Sequence, residues 1–147
     1  MKHVNAYVDG SIMVKYHKYG SGVVLVDNNN NLIEKFGKTY DNGFYKYRNV
    51  AGECIASLLA IHRAIELGYD SVTIYYDYLG ICFWAIGKWK ANNELTKWYK
   101  KTYNYYREFI AVEFVKVKAH SNDKYNDLAD YMAKLSIENG VRKEWKN

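Results

Sequence analysis

The sequence of 147 residues contains no proline and only two cysteines, Cys54 and Cys82. Both cysteines lie in apolar stretches without a partner motif, which favours small core residues over a disulfide or a metal site. This cysteine usage is typical of a reducing compartment, and we expect a cytoplasmic location.

Long apolar runs are also missing. The longest, residues 54–61, is far too short to cross a bilayer, and the N-terminus lacks the order of a signal peptide. We therefore expect no membrane partner. Hydrophobic residues at 49% and charged residues at 25% are ordinary for a globular protein, and the length suits a single domain over residues 1–147. A monomer is the default expectation.

Basic residues outnumber acidic ones, 21 to 16, which gives a formal net charge of +5. This excess is compatible with attraction to nucleic acid, although many basic proteins bind none. Trp84, Trp89 and Trp98 offer stacking surface for bases, but core packing is the favoured interpretation for most of them.

The N-terminal part of the chain predicts three antiparallel strands joined by short connections. Alternation of apolar and polar residues from Val4 to Ser11 is typical of a two-faced strand, which we expect to end at Asp9. Residues 22–27 and 32–38 form the next two strands. Residues 12–20 are predicted to be a widened hairpin connection, and residues 39–50 a polar loop.

The remainder alternates helices and strands. Helices are predicted from Ala51 to Gly68 and over residues 79–84 and 94–109, and strands over 72–76 and 111–118. A last helix is capped by Asp123 and has an apolar side of Leu128, Met132 and Leu135. A helix between two strands can act as a crossover, which implies parallel pairing. The prediction is an α/β domain with a mixed five-stranded sheet flanked by helices.

Four carboxylates occupy the ends of these elements. Asp9 and Asp77 end the first and fourth strands, Glu53 lies in the opening turn of the first helix, and Asp130 lies in the last helix. If the two strands are neighbours, their aspartates converge and repel one another unless a cation neutralises them. Oxygen ligands of this kind suit Mg²⁺ or Mn²⁺, and two ions about 3.5–4 Å apart can support phosphodiester hydrolysis.

Each acid also has an ordinary interpretation. Asp9 and Asp77 are compatible with turn residues, Glu53 with a residue that complements the helix dipole, and Asp130 with a solvated helix charge. The four positions together favour a single cluster. His120 is either a structural or exposed histidine, or a proton-transfer group near the acids.

Four stretches together resemble type 1 ribonuclease H, an enzyme that cuts RNA in RNA–DNA hybrids. They are residues 7–11, residues 49–53, residues 74–77 and the Val-Lys-x-His loop with its Asn-x-x-x-Asp continuation over residues 117–130. The resemblance covers nearly the whole chain, and the spacing of His120 from the acids of the last helix selects Asp130 over Asp127.

This resemblance implies a ribonuclease H-like fold and hydrolysis of the RNA strand that leaves 5′-phosphate and 3′-hydroxyl ends. It implies that two Mg²⁺ ions, with Mn²⁺ as a substitute, bind Asp9, Glu53, Asp77 and Asp130, and that His120 serves proton transfer and product departure. It further implies RNA-strand contacts by the set Gly10, Ser11, Asn49 and Asn126. Lys46 and Arg48 are candidates for a DNA-phosphate pocket by position alone, and a solvated loop is an equal alternative.

The chain departs from the family pattern in three respects. The segment between Asp77 and Trp98 is short, so we expect the basic protrusion of some members to be absent and the hybrid to be held more weakly or elsewhere on the basic surface. We expect no N-terminal hybrid-binding domain. Val50 and Leu79 replace polar residues common in relatives, which leaves those side-chain contacts open. The alternatives are another nuclease or integrase of the same fold, and a non-catalytic nucleic-acid-binding module.

Overall fold

The computed structural model describes residues 2–118 and 123–146, and within them five strands and four α-helices follow one another along the chain. The strands are β1 His3–Met13, β2 Lys18–Val26, β3 Leu32–Tyr40, β4 Ser71–Tyr76 and β5 Ala111–Lys116. The helices are α1 Asn49–Glu66, α2 Gly80–Ile86, α3 Glu94–Tyr106 and α4 Lys124–Lys146. None of these helices is long and apolar enough to span a membrane.

The strands form one sheet in the order β3-β2-β1-β4-β5. The first three strands pair antiparallel, whereas β4 pairs parallel to β1 and β5 parallel to β4. This arrangement confirms the predicted mixed sheet. The last parallel pair joins Tyr7 to Tyr75, so β1 continues beyond its neighbour, and Asp9 lies past the end of β4.

Strand β1 does not end at Asp9, and this boundary prediction was wrong. The strand runs on to Met13 because residues 9–13 pair with residues 18–22 of β2, which also begins earlier than predicted. The connection between the strands is therefore only residues 14–17. Its polar appearance is misleading, since Tyr19 is fully buried and the Lys18 ammonium is paired with Asp41 and Glu144.

Helices α1 and α4 cover opposite faces of the sheet. Successive residues of a strand point to opposite faces, and the neighbours Asp9 and Gly10 follow this rule. Gly10 contacts the backbone of α1, whereas Gly22, the partner of Asp9 across β1 and β2, contacts the backbone of α4. The larger hydrophobic core lies on the α1 side, where α2 and α3 complete it with Ile81, Leu95 and Tyr99.

The buried side of α4 differs from the predicted Leu128, Met132 and Leu135, which remain partly exposed. The buried stripe consists instead of residues at four-residue steps: Tyr125, Ala129, Ala133, Ile137 and Val141. Small residues are needed here because the helix backbone lies directly on glycines of the sheet. A Cβ built on Gly22 would overlap the Ala129 carbonyl oxygen, and one on Gly20 would lie 2.7 Å from the Ala133 carbonyl oxygen.

We expect Gly22→Ala to displace α4 from the sheet, because the added methyl group meets helix backbone that has no rotamer through which to yield. Overpacking of this kind costs about 1–3 kcal/mol, and sometimes more. Urea unfolding measures the loss. Gly43→Ala is the matched control, since a Cβ there meets nothing within 4 Å. Equal stability of the two variants would contradict backbone contact between α4 and β2.

Candidate active site

A depression with a volume of about 470 Å³ lies where β1 extends past β4. All four predicted acids line it. Its lining is formed by Asp9, Gly10, Asn49, Val50, Glu53, Asp77, Tyr78 and Asp130. Acids from β1, α1, the end of β4 and α4 therefore converge on one concave surface, although they are far apart in the sequence.

Three of the acids form a compact group. Carboxylate oxygens of Asp9, Glu53 and Asp77 all lie within 4.8 Å of one another. Asp9 and Glu53 are only 8% and 6% exposed, whereas Asp77 is half-buried. Asp130 approaches from α4 on the more open side, where its side chain is 37% exposed.

The position of Glu53 depends on close contact between α1 and the sheet. A Cβ on Gly10 would overlap the Glu53 amide nitrogen, and a Cβ on Gly52 would overlap the Gly20 carbonyl oxygen. The Ser21 hydroxyl, which is fully buried, donates a hydrogen bond of 2.6 Å to the Gly52 carbonyl oxygen. Sequence reasoning missed Gly52 and Ser21, although a glycine inside a helical pattern is a signal for close packing.

The prediction that Glu53 lies in the first turn of its helix was wrong, because α1 begins at Asn49 rather than Ala51. The helix dipole acts mainly within the first turn. A buried carboxylate in the second turn therefore gains little from it, and the interpretation of Glu53 as a surface residue that complements the dipole does not apply.

The electrostatic environment opposes ionisation of the buried acids. Burial, followed by repulsion from Asp77 and Asp130, raises the pKa of Asp9 to about 8. Burial, followed by repulsion from Asp77 and Asp9, raises the pKa of Glu53 to about 9. Without a counter-ion the protein thus holds protons that these carboxyl groups would lose in water.

The donor set fits a hard divalent cation. Glu53 Oε2 is buried and has no hydrogen-bond partner among the described residues. A buried oxygen without a partner is costly, and a cation between the three carboxylates would remove that cost and their mutual repulsion. Oxygen-only ligands of this charge are the ones that Mg²⁺ and Mn²⁺ prefer.

The predicted substrate residues divide into three groups. Gly10 and Asn49 line the depression. Ser11 and Asn126 are buried and lie outside its lining. Lys46 and Arg48 are exposed on the turn before α1. His120, the predicted proton-transfer residue, lies outside the described residues.

Arg48 adopts backbone angles that favour glycine, with φ 60° and ψ −142°. Such a conformation costs on the order of 1–3 kcal/mol for other residues. Arg48 directly precedes α1, so its backbone conformation sets the direction in which the helix begins at Asn49, which lines the depression. Arg48 therefore has a structural role as well as a positive charge.

A cavity of about 690 Å³ between α3 and residues 87–91 of the connection before it, here called the lysine cavity, was not predicted. Its charged lining residues are Lys88, Lys90, Lys97, Lys100 and Lys101. Trp89 also lines it, and the Trp89 and Tyr78 ring centroids are 6.4 Å apart. Tyr78 lines the acidic depression, so aromatic contact joins the two sites.

Core packing was the favoured interpretation of the tryptophans, and it is wrong for two of them. Trp89 is 37% exposed and Trp98 is 39% exposed. Trp84 is partly buried and lies in the Tyr78 and Trp89 cluster.

We expect the metal-free protein to lose stability as the pH rises from about 4 to about 9. The folded pKa of Glu53 and Asp9 lies above the unfolded value of about 4, so the folded state binds more protons in this window and stability falls with pH. Glu53→Gln removes one such group. The free energy of unfolding of this variant minus that of the parent should therefore increase as the pH rises, and this pH-dependent gain should vanish near pH 4.

Urea titrations at several pH values, with divalent ions removed by chelation, measure this difference. Mg²⁺ should stabilise the parent more at pH 8 than at pH 5, since binding must displace fewer protons there. Asp127→Asn, a change at an exposed acid of α4, is the control. A constant difference between Glu53→Gln and the parent across the pH range would contradict the raised pKa.

Comparison with known proteins agrees with this geometry. A Ribonuclease H from Wigglesworthia glossinidia brevipalpis is 26% identical over 149 residues, which cover 94% of this chain and 90% of that protein. RNase H1 from the halophilic archaeon Halobacterium salinarum NRC-1 superposes with a TM-score of 0.80 at 20% identity, over 93% of this chain and 98% of the other.

A second solved structure is LC11-RNase H1 in complex with an RNA/DNA hybrid. It superposes with a TM-score of 0.74 at 18% identity, over 91% of this chain and 99% of the other. These likenesses establish the fold. The family model of RNase H matches residues 1–138, which is nearly the whole chain. The chain belongs to the RNase H family.

Proposed function

We propose that the protein hydrolyses the RNA strand of RNA–DNA hybrids with the help of divalent metal ions. The observation that carries this proposal is the group of Asp9, Glu53 and Asp77, whose oxygens lie within 4.8 Å of one another in a chain of the RNase H family. The relative LC11-RNase H1, solved with an RNA/DNA hybrid, supports the choice of substrate.

Asp9, Glu53 and Asp77 would hold one Mg²⁺ ion, and Asp130 of α4 would contribute to a second. Mn²⁺ can replace Mg²⁺ at such sites. When bound, two such ions activate a water and stabilise the leaving oxygen. The protein's own contribution is to keep the carboxylates fixed before binding, through the contact of α1 with β1 and of α4 with β2.

Asn49 is the best placed residue for contact with the RNA strand, because it is exposed and lines the depression. A side-chain amide can bind a 2′-hydroxyl, the group that distinguishes RNA from DNA. Gly10 lies beside Asp9 and lines the depression, so its own backbone is the proposed contact with the RNA strand. We retain Ser11 and Asn126 as proposed contacts and His120 as the proposed group for proton transfer and product departure.

The lysine cavity would hold the phosphate backbone of the hybrid, and Trp89 would pack against a sugar or a base. Five lysines line this cavity, and no acidic residue is among its described lining. Lys46 and Arg48 would add a further phosphate contact on the turn before α1. Cationic surface beside the acidic depression is needed because the four carboxylates by themselves repel a polyanion.

Asp9→Asn and Asp77→Asn should each abolish cleavage of the RNA strand of a labelled hybrid in Mg²⁺. A lost metal ligand removes several kcal/mol of transition-state stabilisation, which corresponds to a decrease of about 100-fold or more. Single-turnover cleavage in denaturing gels measures the rate. Omission of divalent ions should abolish cleavage by the parent.

Asp127→Asn is the matched control for this experiment, since Asp127 is an exposed acid of α4 that does not line the depression. Its rate should stay near that of the parent. Binding of the hybrid without cleavage would favour the non-catalytic module, and equal cleavage of duplex DNA would favour another nuclease of the same fold. Either outcome overturns the proposal.

We expect the double substitution of Lys88→Gln with Lys100→Gln to weaken hybrid binding. Each lost phosphate contact should lower the slope of log K against log salt by about 0.7–0.9, so both the affinity and its salt dependence should fall. Fluorescence anisotropy between 50 and 200 mM salt, with Asp9→Asn present in every variant to prevent cleavage, measures both quantities.

Lys35→Gln with Lys143→Gln is the control, because these exposed lysines lie on β3 and near the end of α4, outside the lysine cavity. The pair changes the net charge by the same amount. An equal loss of affinity in the control would mean that the total charge, rather than the lysine cavity, attracts the hybrid.

A further inference from the structure

Lys134 lies one helical turn after Asp130 on α4 and bonds directly to it. Its ammonium Nζ is 2.8 Å from Asp130 Oδ2, and the two side chains are 52% and 37% exposed. A pair this exposed contributes little to folding. The pair is relevant to function because Asp130 lines the acidic depression.

Within the described part of the chain, the other three acids lack such a partner. Among the described residues, no lysine or arginine nitrogen lies within 4.0 Å of the carboxylates of Asp9, Glu53 or Asp77. The hydrogen bond from Lys134 to Asp130, with further attraction from Asp130 and Asp9, raises the pKa of Lys134. The ammonium of Lys134 therefore interacts with the acidic depression as well as with its direct partner.

We infer that Lys134 is an exchangeable counter-ion of Asp130 that competes with the divalent cation for this carboxylate. In the metal-free protein Lys134 holds Asp130 Oδ2, and the carboxylate must leave the ammonium before that oxygen can bind a metal. Lys134 is thus a positioning residue that sets the affinity of the Asp130-dependent cation. This inference rests on the proposed function only in that the acids bind a divalent ion.

The competition predicts an unusual direction for a substitution beside an acidic site. Loss of the ammonium should tighten metal binding, because Asp130 no longer exchanges one cation for another. The strength of exposed ion pairs corresponds to a gain of roughly two- to fivefold in the affinity of the Asp130-dependent cation. Lys134→Arg keeps the charge and the bond to Asp130, so its affinity should stay near that of the parent.

Calorimetric titration with MgCl₂ alone, without nucleic acid, tests the inference on the parent, Lys134→Gln, Lys134→Arg and Asp130→Asn. The Asp130-dependent part of binding is the part that Asp130→Asn removes. Lys143→Gln serves as the control for net charge, since Lys143 is an exposed lysine farther along α4. Thermal unfolding without metal establishes that each variant is folded.

A double-mutant cycle separates direct competition from a general change in field. When Asp130→Asn is already present, Lys134→Gln should no longer change metal affinity. If Lys134→Gln instead tightens binding equally in both backgrounds, the field of the lysine acts on the other acids and the inference is wrong.

The remaining outcomes are also decisive. An unchanged or weaker isotherm for Lys134→Gln, with normal binding by the parent, overturns the inference and leaves the proposed function intact. Absence of Mg²⁺ binding by the parent overturns the inference together with the metal dependence of the proposed function. Tighter binding that disappears in the Asp130→Asn background supports it.

Discussion

Backbone contact between the sheet and its two covering helices is the constraint on which the site depends. Gly10 lets α1 approach β1 until the Glu53 amide lies against the strand, and Gly22 lets α4 approach β2 at Ala129. Side chains at these positions would hold the helices farther away. Because Asp9 precedes Gly10 in β1 and pairs with Gly22 of β2, the same contacts fix the distances from Asp9 to the acids of both helices.

This rigid arrangement explains how the protein tolerates carboxylates that repel one another. Two of the acids are nearly buried, and their pKa values are raised because burial and the neighbouring charges both disfavour ionisation. A flexible site would relax and separate the charges. Here the helices cannot withdraw without loss of core contacts along α1 and α4, so the acids stay close together, and a cation that binds replaces the protons that they hold.

Sequence reasoning predicted the sheet, the order of its elements and the convergence of four acids. It succeeded because strand alternation and helix periodicity report which side of an element is apolar, and because parallel pairing of β1 with β4 brings Asp9 and Asp77 together. It placed the buried stripe of α4 wrongly. Leu128 and Met132 look like core residues, yet Ala129 and Ala133 face the sheet. Glycines of β2 let the helix backbone approach so closely that larger side chains do not fit between them.

The lysine cavity and the bond from Lys134 to Asp130 are features that the sequence alone does not predict, for a different reason. Lys97, Lys100 and Lys101 lie at three- and four-residue steps on one face of α3, whereas Lys88 and Lys90 belong to the connection before it. Only the packing of that connection against α3 brings the two groups together around Trp89. Lys134 follows Asp130 by four residues in the sequence, but its proximity to Asp9 depends on where α4 crosses the sheet.

Charge separation within one small basic protein has a further physical consequence. The acidic depression and the lysine cavity are joined through Tyr78 and Trp89, so a nucleic acid held by the lysines would lie beside acids whose negative charge repels it. The phosphate backbone can approach the acids closely only when cations have neutralised them. Metal and nucleic acid should therefore bind with positive coupling, each strengthening the other, as linkage between two sites requires.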